Sequence, residues 1–82
     1  MSLDELKSSN KVIGTKQVKK AVLSSTARKV FLADDAEAHI IGPLKELCHQ
    51  HAVQVERADT METLGGACGI EVGSAAVALL ND

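Results

Sequence analysis

Three lysines and a glutamine are concentrated in one short stretch, where their side chains are suited to binding a polyanion. The stretch is Gly14-Thr15-Lys16-Gln17-Val18-Lys19-Lys20-Ala21. Its apolar residues recur at the i, i+3, i+4 spacing, which predicts a helix with one buried face and one basic face. The predicted buried positions are Val18, Ala21 and Val22, and the exposed ones are Lys16, Lys19 and Lys20. A lysine-bearing helix N-terminus can bind phosphate, and lysine can donate to guanine O6 and N7; a merely solvated face is the alternative.

The densest glycine cluster carries two apolar residues. It reads Leu64-Gly65-Gly66-Ala67-Cys68-Gly69-Ile70-Glu71-Val72-Gly73. A dinucleotide-binding G-x-G-x-x-G motif follows a strand and opens a helix, whereas this segment follows a predicted helix and leads into a strand, so that motif is excluded. Ile70 and Val72 therefore either join the core, which their apolar character favours, or form a loop tip that covers an unstacked base.

Combinations of residues that could catalyse a reaction or bind a metal are scarce. His49 and His51 are two residues apart, so on a helix they point in different directions and cannot chelate a metal as an i, i+4 pair would. Asp34-Asp35 after an apolar run is typical of a turn and helix-capping device. No nucleophile has a recognisable base beside it. We therefore expect no enzymatic activity, no cofactor and no metal site.

Composition narrows the classes of protein further. With 82 residues, 45% hydrophobic and 24% charged, the chain is expected to form a single globular domain over residues 1–82. Phe31 is the only aromatic residue, which excludes modules that stack bases on surface aromatics. The net charge is −2, but the first 30 residues hold seven basic and two acidic side chains, whereas the rest hold two basic and nine acidic. One end can therefore attract polyanions.

Cysteine usage and hydropathy indicate a compartment. Cys48 and Cys68 form no C-x-x-C motif, and the N-terminus has no apolar signal core. No apolar run approaches the length that a membrane span needs. We expect a cytoplasmic, monomeric protein with reduced, buried cysteines and no membrane partner.

Helical and strand periodicities alternate along the chain, which predicts an α/β fold. The first half predicts a helix over 2–9 with a capping box, a brief strand at Val12 and Ile13, a helix capped by Thr15, a covered strand over 30–33 and a turn at Asp34-Asp35. The second half predicts a helix that begins or kinks at Gly42-Pro43, a half-buried strand from Val53, a short helix from Thr60 that ends at Gly65-Gly66, and a strand over 75–80.

The lysine-bearing stretch and the glycine cluster, about fifty residues apart, together resemble the kink-turn-binding ribosomal protein family. The likeness covers nearly the whole chain and is closest to the short bacterial YbxF-like branch. It implies a three-layer α/β/α sandwich around a small four-stranded mixed sheet. It also implies recognition of the kink-turn, a sharply bent RNA internal loop with tandem sheared G·A pairs and extruded bases.

The resemblance implies roles for residues in both segments. In the helix, polar side chains contact the G·A pairs, and the Ile-Glu-Val loop covers the extruded bases. The implied RNA-binding residues are Gly14, Thr15, Lys16, Gln17, Lys19, Lys20, Ile70, Glu71, Val72 and Gly73. The implied partner is a kink-turn in ribosomal RNA, a riboswitch or a messenger leader, with the ribosome as a further partner. The alternative is a ribosome-associated module in which Ile70 and Val72 contact protein.

The sequence departs from the family's usual pattern in three places. Lys16-Gln17 stands where Asn-Glu is commonest, which affects the preferred G·A context. Gly66 replaces a usual Lys or Arg and so removes one phosphate contact. Gly42-Pro43 within a helix is also unusual, although it lies outside the implied site.

Overall fold

The computed structural model describes residues 10–81, where three helices and four strands alternate along the chain. They are β1 (Lys11–Ile13), α1 (Thr15–Leu23), β2 (Ala27–Ala33), α2 (Ala38–Gln50), β3 (Gln54–Ala58), α3 (Met61–Ala67) and β4 (Ala76–Leu80). The strands form one mixed sheet in the order β1-β4-β2-β3. Only the β2–β3 pair is parallel. The helix predicted for 2–9 lies outside the described residues.

The helices cover both faces of this sheet. Successive side chains of β2 point to opposite faces, so Val30 and Leu32 pack with residues of α1 and α2, whereas Phe31 packs with Leu64 of α3. All four of these β2 and α3 apolar residues are fully buried. The predicted α/β/α sandwich with a four-stranded mixed sheet is therefore confirmed. Among residues 10–81, no helix is long and apolar enough to cross a membrane.

Strand β2 is covered on both faces, as its apolar run predicts, but it begins three residues before that run and includes a charge. Lys29 is only 8% exposed. Its Nζ lies 3.1 Å from Glu56 Oε1 on β3 and 5.4 Å from the centroid of the Phe31 ring. An ammonium group is tolerated at this depth because a carboxylate pairs with it and an aromatic face lies beside it.

We expect Glu56→Ala to lower the free energy of unfolding by about 1 to 2 kcal/mol, because Lys29 then keeps its charge with one acidic partner fewer. Gln54→Ala on the same strand is the control, since Gln54 is exposed and should change stability by less than about 0.5 kcal/mol. Urea unfolding followed by circular dichroism measures both. Equal midpoints for the two variants would mean that the ion pair contributes nothing.

The predicted cap of α1 is wrong, and of the two alternatives at Gly42-Pro43, a start or a kink, the start is wrong. Thr15 does not cap α1; it is the first helical residue, and Gly14 is the N-cap with φ 106°, a backbone conformation that glycine adopts without strain. Helix α2 begins at Ala38 and passes through Pro43. Proline has no N–H to donate to the carbonyl of His39, but both residues are exposed, so water can bind that carbonyl. The helix therefore continues past the proline.

Candidate nucleic-acid interface

Helix α1 presents a basic surface to solvent. Its apolar stripe of Val18, Ala21 and Val22 is buried, which confirms the predicted orientation and turns the polar side chains outward. We call the resulting surface the lysine face; it is lined by Lys16, Gln17, Lys19, Lys20 and Leu23. Within residues 10–81, no side chain caps the N-terminus of α1, and its first turn holds no acid. The positive end of the helix dipole therefore adds to the lysine charges.

Gly14 and Thr15 form the tight entrance to α1. The backbone N–H of Gly14 donates to the carbonyl of Ala76 at 2.9 Å, and the carbonyl of Gly14 accepts from the N–H of Val18 at 2.9 Å. These two bonds join the start of the helix to β4 and to its own first turn. Gly14 and Thr15 are half-buried, so they position the lysine face more than they extend it.

The segment over 69–73, which we call the apical loop, projects an apolar side chain into solvent. Val72 is 70% exposed, whereas Ile70 is half-buried. Glu71 and Gly73 are exposed as well. Placement of Val72 in the core, which its apolar character favours, is therefore wrong, and Ile70 is only partly packed. An isolated exposed valine at a loop tip is available for contact with a partner.

Two backbone hydrogen bonds join the apical loop and the residue after it to helix α3. The N–H of Ile70 donates to the carbonyl of Gly65 at 3.1 Å, and the N–H of Ser74 donates to the carbonyl of Met61 at 3.0 Å. Gly65 and Gly66 were predicted to end this helix, but they lie inside it. The reason is tertiary: the carbonyl oxygen of Val72 occupies the space that a Cβ at Gly65 would need. Glycine at 65 therefore permits the loop to lie directly against the helix.

Two side chains fix the start of α3. Thr60 Oγ1 accepts from the N–H of Thr63 at 2.9 Å, and Asp35 Oδ1 accepts from the N–H of Met61 at 2.8 Å. Asp34 forms an ion pair with Arg57. The predicted turn and capping role of Asp34-Asp35 is therefore confirmed, and both carboxylates have structural partners.

The N-terminus of α1 and the apical loop lie at the same end of the sheet. Strand β1 runs into α1 where the antiparallel β4 begins, with Ile13 opposite Val77. The bond between Gly14 and Ala76 closes this end on one side, and the N–H of Ala33 donates to the carbonyl of Ala75 at 3.0 Å on the other. The two segments that hold the ten predicted site residues both adjoin the start of β4, and α1 then runs back along the sheet, so that Lys20 lies near Leu80 at the other end of the strand.

The structure also shows two features of the candidate site that the sequence analysis does not identify. Leu23 is 53% exposed at the far end of the lysine face, one helical turn after Lys19 and Lys20. The same i, i+3, i+4 spacing that predicts the buried stripe places Leu23 beside those lysines. The contacts of Gly65 with Val72, by contrast, have no local signal, because they join α3 to a loop that follows it.

Other reactive side chains do not gather into a site. Burial raises the pKa of the Cys48 thiol, and burial likewise raises that of Cys68, with Lys11 acting weakly in the opposite sense. Thiols with a raised pKa are protonated at neutral pH and are poor nucleophiles. His49 and His51 are exposed near the end of α2. In the described part of the chain, no group of three or more His, Cys, Asp or Glu side chains could hold a metal ion.

Several known proteins are similar to this chain in sequence. The RNA-binding protein YbxF of Geobacillus stearothermophilus is 44% identical over 69 residues, which cover 84% of each chain. The large ribosomal subunit protein eL8 of Halobacterium salinarum is 38% identical over 68 residues, covering 82% of this chain and 57% of eL8.

A solved structure, that of the Giardia lamblia 15.5kD RNA binding protein, superposes with a TM-score of 0.89 and covers 98% of this chain and 71% of that one. At 22% identity this likeness shows a shared fold. The family model of the ribosomal protein L7Ae/L30e/S12e/Gadd45 family matches residues 3–82. With nearly its whole length matched and the sheet order and helix layers in place, the chain belongs to the ribosomal protein L7Ae/L30e/S12e/Gadd45 family.

Proposed function

We propose that this protein binds RNA and recognises kink-turns. The observation that carries the proposal is the exposure of two chemically different surfaces, the lysine face and Val72 of the apical loop, in segments that both adjoin the start of β4. A kink-turn offers a matching pair of features, which are guanine edges and phosphates in a widened groove and bases extruded from the stack. The name of the 44% identical YbxF protein as an RNA-binding protein adds support.

In this proposal the lysine face contacts the G·A pairs. Lys16 and Lys20 donate to guanine O6 and N7, and the Gln17 amide both donates to and accepts from base edges. Lys19 neutralises a nearby phosphate. Gly14 and Thr15 set the height of the helix against the sheet, so that these side chains reach the groove together. The positive end of the α1 helix dipole also attracts the phosphates of the RNA backbone.

The apical loop covers the extruded bases. Val72 places its methyl groups against a base face. Ile70, which is half-buried, anchors the loop against the rest of the protein. The Glu71 carboxylate can accept a hydrogen bond from the exocyclic amine of a base. This contact is made with the base and not with the phosphate backbone. A Cβ at Gly73 would lie 3.0 Å from the Cβ of Met61, so the loop passes close to α3 there. A base covered in this way needs no surface aromatic residue.

The protein would act by population shift. A kink-turn RNA exists in extended and bent forms, and a surface that fits only the bent form moves the equilibrium toward it. No bond of the RNA is made or broken in this scheme. We further propose that the protein is monomeric and cytoplasmic and meets its kink-turn in ribosomal RNA, a riboswitch or a messenger leader.

We expect Lys20→Ala to weaken kink-turn binding by about 2 kcal/mol, because it removes a donor to a guanine edge. Lys45→Ala is the matched control: it removes the same charge from the exposed face of α2, outside the lysine face, and should cost less than about 0.5 kcal/mol. Both variants are titrated with a labelled kink-turn RNA and with the same RNA after its G·A pairs are replaced.

The loss with Lys20→Ala should be confined to the RNA with intact G·A pairs. Equal losses for the two variants, on both RNAs, would mean that α1 is only a generic basic surface. In that case exposed Val72 would favour the second function, a protein-contact module of the ribosome. That function predicts binding to ribosomes without binding to the isolated kink-turn.

A further inference from the structure

A concave surface runs between α1 and α2, separate from the apical loop. It is a groove of about 510 Å³. This volume falls in the range of about 300 to 1,000 Å³ that is usual for sites that hold small organic molecules. The floor is apolar, and the residues that line it include Lys16, Lys19, His39, Pro43, Leu44 and Leu47.

We propose that this groove holds one unstacked nucleotide of the RNA strand that leaves the kink-turn. The inference rests on the proposed function and extends its RNA contact beyond the bent motif. Lys16 and Lys19 line both the groove and the lysine face, so the two surfaces are continuous along one helix. A strand whose phosphates follow these lysines passes from one surface to the other without leaving positive charge.

The chemistry of the walls fits a nucleotide. Pro43 and Leu47 supply an apolar contact for a base face, and the exposed His39 ring, one turn before Pro43 on the same side of α2, can extend that contact. The Gln50 amide, which donates to Glu46 at 3.4 Å, stands at the rim where the polar edge of a base would lie. The lysines take the phosphate on the opposite wall. Apolar surface, a base-edge partner and a cationic wall are the three features that a single nucleotide requires.

The test compares one kink-turn RNA with blunt ends and the same RNA carrying a four-nucleotide single-stranded extension on one strand or the other. We expect one of the two extensions to tighten binding about 5- to 10-fold, the gain expected for a base stacked in a protein site. The His39→Ala/Gln50→Ala variant should lose this gain and bind the blunt RNA as the original protein does. Both positions are exposed, so the fold should be kept.

His49→Ala is the matched control, because His49 is an exposed residue of α2 that does not line the groove. It should retain the full gain. Methyl chemical shifts of Leu44 and Leu47 provide an independent readout, and they should move with the extended RNA and not with the blunt one.

Two results would overturn the inference. If neither extension changes the affinity and the Leu44 and Leu47 methyls do not move, the groove does not hold RNA and is left for a protein partner, while binding of the blunt kink-turn would keep the proposed function intact. If the protein binds neither blunt nor extended RNA, the proposed function fails and the groove proposal fails with it.

Discussion

Val72→Asp is expected to reduce kink-turn affinity by about 3 to 4 kcal/mol while leaving the protein folded. The valine is 70% exposed, so its removal takes little apolar surface out of the core. In the complex, however, the change removes the contact with an extruded base, worth about 1 to 3 kcal/mol, and adds a negative charge beside the RNA backbone. Fluorescence anisotropy with labelled RNA measures the affinity, and circular dichroism measures the unfolding midpoint.

Gln54→Asp is the control for added charge. Gln54 is exposed on β3, at the end of the sheet opposite to the apical loop, and its replacement should change affinity by less than about 0.5 kcal/mol. A collapse of thermal stability in Val72→Asp would return Val72 to a structural role. Normal RNA binding by this variant would remove the apical loop from the interface.

Gly65→Ala is expected to destabilise the protein by forcing α3 and the apical loop apart. A Cβ at this position would overlap the carbonyl oxygen of Val72, and hydrogen bonds from Ile70 to Gly65 and from Ser74 to Met61 join the loop to α3 on either side of Val72. Either α3 or the apical loop must move, at a cost of about 1 to 3 kcal/mol in unfolding free energy. Displacement of the loop should also weaken kink-turn binding at least tenfold in the molecules that remain folded.

The neighbouring glycine supplies a strict control. A Cβ at Gly66 would meet no described atom within 4 Å, and Gly66 lies in the same helix. Gly66→Ala should therefore stabilise the protein by about 0.5 to 1 kcal/mol, because alanine loses less backbone entropy in a helix, and should leave RNA binding unchanged. Equal effects of the two substitutions would show that the contact between α3 and the apical loop does not matter.

The parts of the fold that sequence predicts well are those set by local periodicity. The apolar spacing of Val18, Ala21 and Val22 gives both the helix and its buried face, and the unbroken run from Val30 gives a strand covered on both sides. The alternation of helices and strands gives the layers. Each of these signals lies within one element, so it needs no knowledge of distant contacts.

The parts that sequence predicts badly depend on contacts between elements. Glycines 65 and 66 look like a helix end, but they lie inside α3, because the apical loop packs on one of them. Apolar Val72 looks like a core residue, but its backbone is pinned to α3 while its side chain points outward. Local propensity also favours Thr15 as a cap, yet the bond between Gly14 and Ala76 shifts the helix start. In each case tertiary structure overrides a local preference.

Two short motifs predict the residues of the candidate site. The sheet topology, in contrast, determines that the two segments lie near each other. Neither the lysine-bearing stretch nor the glycine cluster indicates by itself that the two meet at one end of β4. The order β1-β4-β2-β3 supplies that fact, because it places the end of β1 beside the start of β4. The proposed recognition of a kink-turn uses both surfaces at once, so it depends on this order.

The most direct measurement is a titration of the protein into a kink-turn RNA labelled with a donor and an acceptor dye, at two salt concentrations, with a G·A-disrupted RNA alongside. The dyes must be on the RNA, since the chain has no Trp or Tyr. The proposal predicts increased energy transfer that requires the G·A pairs and falls only modestly with salt, because base edges and shape contribute beside phosphate contacts. Weak binding that vanishes with moderate salt and treats both RNAs alike would contradict it.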